Sequence, residues 1–252
     1  MKLQVDLNAD MGEGAGHDEE LFTLVTSASI ACGFHAGDPV SIRDSIRAAR
    51  EHNVAVGAHP SFADRENFGR KEITLPEGEA FTTVAYQLGA FKAMATAAGA
   101  RVNHVKAHGA LYNMAVHNER LAGEIARAVA ATDPSLSLFA PGGSALERAA
   151  KSANVRVVRE VFADRNYLAN GSLVPRSRPD ALLHDPEKAA VRVIRMLREG
   201  LVRSVEGKDI LVHGETICLH GDSPDAVQFA RSLRAILERN DVSIQAPLSI
   251  SV

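Results

Sequence analysis

The sequence predicts an α/β fold, an irregular seven-stranded TIM-like (β/α) barrel, and three observations carry the prediction. Short β-branched runs alternate with longer amphipathic stretches along the 252 residues, so parallel strands joined by right-handed crossovers are expected. Polar functional groups follow nearly every strand, which suits a barrel, whose chemistry comes from many strand ends; an open sheet gathers it at one switch point. No Gly/Ser linker or charge run divides the chain, so residues 1–252 are expected to form one barrel domain, a length such barrels reach at roughly 250 residues.

The strands are expected at 3–7, 28–32, 54–58, 102–107, 136–140, 155–161 and 216–220, each a short apolar run. Helical periodicity fills 39–52, 77–98, 119–131, 144–153, 186–199 and 224–239. Asp38-Pro39, Asp185-Pro186 and Ser223-Pro224 each set a side-chain acceptor at the N-cap and a proline at N1, where its missing N–H costs nothing. The stretch 206–213 reads as an extra hairpin before the last barrel strand.

Composition narrows the function. With 28 Lys and Arg against 31 Asp and Glu, the net charge of −3 argues against nucleic acid as partner. The lack of Trp and the 5% aromatic content argue against base-stacking modules. Only Cys32 and Cys218 are present, both in apolar runs, which implies a reducing compartment, and a cytoplasmic location is expected. Acidic residues at positions 6 and 10 break any signal core, and no apolar run nears the roughly 20 residues of a membrane span.

The polar clusters follow the strands in order. Alternation puts Asp6, Asn8 and Asp10 on one face of the first strand, and the Gly-rich turn after it exposes Asp10 and Glu13. Three interior polar groups are expensive unless they bind one another or a ligand. His35 and His59 stand just past the second and third strands. Asp38 already has a role as helix cap and is not assigned chemistry.

The fourth strand carries His104, Lys106 and His108 on one face. A lysine inside a strand is rarely buried unpaired, so Lys106 is read either as an ion pair with Asp6 or Asp10 or as a cation serving an anion. His104 and His108 lie about 13 Å apart along a strand and are rejected as a chelating pair. The sixth strand ends at Glu160-Val161, and Asp164 and Arg165 follow it, where Phe-Ala-Asp-Arg echoes Phe62-Ala63-Asp64-Arg65 100 residues earlier. Each Arg offers a planar fork for a carboxylate or phosphate. His220 and Asp222 close the rim. Mixed acids, bases and cations at one barrel end suit hydrolysis by general acid and base. No G-x-S-x-G elbow supports a serine nucleophile, and no G-x-x-x-x-G-K-[ST] supports nucleotide binding.

At DLNADMGEG, ACGFHAGDP, GAHPSFADRENFGR, VKAHGALYN, EVFADRNYLANGSLVPR and CLHGDSP, in order from residue 6 to 224, the chain resembles the LamB/YcsF family of 5-oxoprolinase A subunits. One departure is Ala107, where the family pattern is Lys-Pro-His-Gly. The resemblance implies a barrel similar to those of glycoside hydrolases and deacetylases. It also implies hydrolysis of 5-oxo-L-proline to L-glutamate with ATP cleaved to ADP and phosphate, alongside two further subunits, B and C. On that reading partners activate the lactam with ATP, Asp10 or His59 deprotonates water, Lys106 and His108 stabilise the oxyanion or phosphate, and Arg165 holds the carboxylate. Asp10, Glu13, His59, Lys106 and His108 are thus the expected catalytic set. Asn8, His35, Arg65, Glu160, Asp164, Arg165, His220 and Asp222 are expected around the substrate. Glu13, Glu160, Asp164 and Asp222 either orient these groups or bind a divalent cation. Two other readings remain open: a self-sufficient metal-dependent amidase or deacetylase, and a non-catalytic small-molecule binding subunit.

Overall fold

The computed structural model describes residues 3–221 and 225–247. In chain order its elements are β1 (Leu3–Met11), α1 (Asp18–Phe22), β2 (Ser27–Ala31), α2 (Pro39–Glu51), β3 (Ala55–His59), α3 (Glu79–Ala97), β4 (Val102–Val105), α4 (Gly109–Ala115), α5 (Glu119–Thr132), β5 (Ser137–Ala140), α6 (Ala145–Ser152) and β6 (Arg156–Phe162). They continue with α7 (Pro186–Glu199), β7 (Leu201–Arg203), β8 (Asp209–Leu211), β9 (Thr216–Leu219), α8 (Ala226–Arg239) and β10 (Val242–Ile244). Seven parallel strands, in the order β1-β2-β3-β4-β5-β6-β9, close into the expected barrel by a β9–β1 pairing. β10 adds alongside the start of β1, with Leu3 opposite Val242.

Strand alternation decides what faces where. Leu7, Ala9 and Met11 point outward into the apolar layer beneath the helices, and Asp6, Asn8 and Asp10 point inward. Barrel interiors are usually layered with Val, Ile and Leu. Here the register instead stacks Asp6, Thr216 and Glu160 in one row, Asn8, Ser27 and Cys218 in another, and Asp10, Ser29 and Gly57 in a third. Polar groups thus fill the column.

Caps fix the helices as their sequences require. The Asp38 carboxylate accepts from the N–H groups of Val40 and Ser41, and that of Asp185 from Glu187 and Lys188, each ahead of a proline at the first helical position. The Ser223-Pro224 cap lies outside the described residues. Strand β1 runs four residues past its expected end, because Asn8 to Met11 stay paired with β2. The expected hairpin begins earlier than 206: β7 follows directly on the Gly200 cap of α7 and pairs antiparallel with β8. Among the described residues no helix is long and apolar enough to cross a membrane.

Candidate active site

The column begins in hydrogen bonds and ends in charge. At its base the Asp6 carboxylate accepts from the hydroxyls of Thr26 (2.6 Å), Ser27 (2.8 Å) and Thr216 (2.6 Å). Burial still pushes its carboxyl up to about 6. One level higher, the Asn8 amide donates to Thr216 Oγ1 (2.7 Å) and Glu160 Oε1 (3.1 Å), and its oxygen accepts from Lys106 Nζ at 2.8 Å. His104, lower on β4, lies across Gly57 and stacks on Phe139 with centroids 4.0 Å apart, so it belongs to the packing of the column.

Lys106 is the hinge of the charged level. After β4 ends, the N–H groups of Lys106 and His108 still bond to the carbonyls of Ala58 (3.0 Å) and Pro60 (2.9 Å), so alternation continues and both side chains face inward. Nζ lies 2.6 Å from Asp10 Oδ1 and 3.2 Å from Glu160 Oε1. Burial works against this ammonium, but Asp10 and Glu160 hold it well above its ordinary value. The contact with Asp10 is ionic and not angled as a hydrogen bond, and Oδ1 accepts no hydrogen bond from any described residue. Burial raises the Asp10 carboxyl, yet the neighbouring His59 and Lys106 side chains outweigh it and hold it well below the usual carboxylate range. Glu160 Oε2 accepts from Tyr112 OH at 2.6 Å.

Beside this pair stand three imidazoles and a carboxylate. His59 Nδ1 donates to the Lys106 carbonyl (2.6 Å), and its Nε2 faces Asp10 Oδ1 (3.4 Å), Glu13 Oε1 (3.7 Å) and His108 Nδ1 (3.0 Å). His108 Nε2 donates to the Phe68 carbonyl (2.9 Å), while its Nδ1 lies 3.1 Å from Glu13 Oε1. His35 reaches Glu13 Oε1 with Nε2 (2.9 Å) and Ser61 Oγ with Nδ1 (3.0 Å), and its ring stacks on His108 at 3.8 Å. Burial presses His35 down to about 4, so its ring is neutral at pH 7.

A cavity of about 410 Å³ opens over these groups, within the range of small-molecule sites. Of the residues expected from sequence, Asp10, Glu13, His59, Lys106, His108, Glu160, Arg165 and His220 line it. Asn8, His35 and Asp164 stand behind them: Asn8 grips Lys106 and Glu160, His35 backs Glu13, and Asp164 holds His220 Nδ1 at 2.8 Å. Arg65 is outside the lining, with its guanidinium donating to the carbonyls of Gly33 and Gly37. Asp222 lies outside the described residues. Arg165 is buried, donates Nη2 to Val174 O (2.7 Å), and keeps Nε without a hydrogen-bond partner among the described residues.

Sequence reasoning missed Tyr112, Tyr167, Arg70 and Arg176 in the lining. Tyr112 sits on α4, a seven-residue helix too short to show a period. Tyr167 and Arg176 belong to the excursion after β6, pinned by isolated bridges Arg165–Leu182 and Tyr167–Leu173, where no periodic pattern marks a face.

A closed seven-stranded barrel with a polar column and a carboxylate-imidazole-lysine mouth is the class that fold and site define. The chain belongs to the LamB/YcsF family, whose model matches residues 5–251. It is 49% identical over 251 residues to the A subunit of 5-oxoprolinase from Bordetella parapertussis, covering 98% of this chain and 100% of that one. A lactam utilization protein from Thermus thermophilus has a crystal structure that matches with a TM-score of 0.91 at 46% identity, covering 97% of this chain and 100% of that one. The catalytic domain of a peptidoglycan N-acetylglucosamine deacetylase from Eubacterium rectale shares the fold at a TM-score of 0.52 and 10% identity, covering 100% and 93%.

Proposed function

We propose that this chain is the ring-opening subunit of an ATP-dependent 5-oxoprolinase, converting 5-oxo-L-proline to L-glutamate after partner subunits B and C have activated the lactam with ATP. The observation that carries the reading is one cavity lined by Asp10, by Lys106 with its ammonium 2.6 Å from the Asp10 carboxylate, and by Arg165. The names of the relatives, the A subunit of a 5-oxoprolinase and a lactam utilization protein, point to the same substrate class.

The roles follow from the groups. Arg165, a cation in the cavity lining, receives the substrate carboxylate. Phosphorylation by a partner makes the lactam carbon electrophilic. Water then adds to that carbon as its proton passes to Asp10. The ring C–N bond breaks with a proton delivered to nitrogen, and phosphate leaves in a second hydrolysis. Asp10 at rest is a weak base because Lys106 is 2.6 Å away. The lactam oxygen by then carries the phosphoryl group, so the charge that grows as water adds falls on the ring nitrogen and is met by the delivered proton. The phosphoryl oxygens draw the ammonium toward themselves, and Asp10 regains basicity when a proton must be accepted.

Glutamate release tests the division of labour. The isolated chain incubated with ATP, Mg²⁺ and 5-oxo-L-proline is expected to form no glutamate and to gain turnover when the partner subunits are added. Steady glutamate formation by the chain alone overturns the reading.

A further inference from the structure

The imidazoles at the mouth carry a conflict in their hydrogen bonding. A carbonyl oxygen only accepts, so His59 must carry its proton on Nδ1, facing Lys106 O, and His108 must carry its proton on Nε2, facing Phe68 O. In the neutral rings the remaining nitrogens, His59 Nε2 and His108 Nδ1, therefore hold lone pairs, yet they point at one another across 3.0 Å. Glu13 Oε1, a third electron-pair donor, lies 3.1 Å from one and 3.7 Å from the other. Three donors with no hydrogen among them repel unless something positive sits in their midst.

We propose that Glu13, His59 and His108 bind a divalent transition-metal cation, Zn²⁺ by the chemistry of the set. Two imidazoles and one carboxylate form a three-ligand set suited to zinc. At a metal–ligand distance of about 2.0–2.1 Å, tetrahedral ligands lie about 3.3 Å from each other. The separations of 3.0, 3.1 and 3.7 Å straddle that value. All three ligands line the cavity, which leaves the fourth position facing the substrate space.

The surroundings are built for the purpose. The two carbonyls that fix the tautomers are outer-shell partners that aim the rings. Phe68 presents its carbonyl from a left-handed backbone at φ +55°, a conformation non-glycine residues rarely adopt. Gly69 next to it has room for no Cβ, which would meet His35 Cβ at 2.9 Å and His108 Cδ2 at 3.0 Å. His35 does not line the cavity; it contacts Glu13 Oε1 at 2.9 Å and stacks on His108, so it is a positioning residue for two ligands. Asp10 and Lys106 remain outside the set.

Zinc binding is measured on the full chain without ATP or lactam, so its result bears on the cation alone and the glutamate assay on the reaction alone. After removal of metal with a chelator, titration with ZnCl₂ by calorimetry is expected to show one equivalent bound. Glu13→Gln and His108→Ala are expected to weaken it by about 100-fold, and His35→Ala by about 10-fold. Wild-type binding far below one equivalent, or a titration that Glu13→Gln leaves unchanged, overturns the proposal. Should a variant fail to fold, ¹⁵N spectra of the wild-type histidines decide: Zn²⁺ is expected to shift His59 Nε2 and His108 Nδ1. Unmoved resonances mean that a trapped proton, not a metal, sits between the rings.

Discussion

Lys106 serves two ends, and its substitution separates them. Lys106→Met leaves Asp10 and Glu160 buried around an apolar side chain, with the cation that lay 2.6 and 3.2 Å from them gone. Stripping one partner from a buried pair costs about 3–5 kcal/mol, so the variant is expected to melt at a clearly lower temperature and to lose glutamate release in the reconstituted complex. Adding Glu160→Gln removes one orphaned charge and is expected to restore part of the melting temperature and none of the activity. Activity that returns along with stability shows that Lys106 is structural only. That Lys106 mattered was legible in sequence, since a lysine within an apolar strand needs a partner. The two Phe-Ala-Asp-Arg stretches were not distinguishable. They share four residues, but Arg165 follows β6 into the cavity, while Arg65 ties down the loop between β2 and α2. Tertiary position, which four residues do not encode, separates them.

At the scale of elements, Gly57 shows how closely the column is filled. A Cβ there would lie 2.0 Å from His104 Nε2, and that ring is held by Phe139 on one side and Ser29 Oγ at 3.2 Å. Gly57→Ala is therefore expected to destabilise the fold by about 1–3 kcal/mol, as overpacking does, read from denaturant midpoints. Combining it with His104→Ala is expected to cost less than the two changes summed; simple additivity rules out the clash. The barrel strands and longer helices could be read in advance because apolar period and proline caps mark them. Strand β1 looked too short because Asn8 and Asp10 resemble loop residues until the interior is known to be polar. The short α1, α4 and β10 escaped because five, seven and three residues are fewer than the roughly 11 of a helix or 4 of a strand over which a repeating pattern is recognised.

For the whole molecule, Asp6 sets a pH dependence with a definite sign. Its carboxyl rises from 3.8 to about 6 on folding, so the folded chain holds a proton there that the unfolded chain has released. The contribution of Asp6 to stability is fully present below pH 3.8 and is lost as pH rises through 6. About two pH units correspond to about 3 kcal/mol. Unfolding free energies of wild type and Asp6→Asn, measured from about pH 4 to about 7.5, are expected to diverge: wild type loses ground to the variant by up to about 3 kcal/mol. A constant difference across that range refutes the shift.

The pairing of β1 with both β2 and β9 also orders events in time. As the chain leaves the ribosome, its first strand acquires one neighbour within about thirty residues and waits for the other until residue 219 has been made. Until then Asp6, Asn8 and Asp10 face water on an unclosed edge, and the lysine meant for them has no complete cage to enter. Contacts so distant in sequence slow folding. A nascent chain halted before β9 therefore carries nearly all the mouth residues and no assembled mouth, and the chemistry arrives only when the ring is shut.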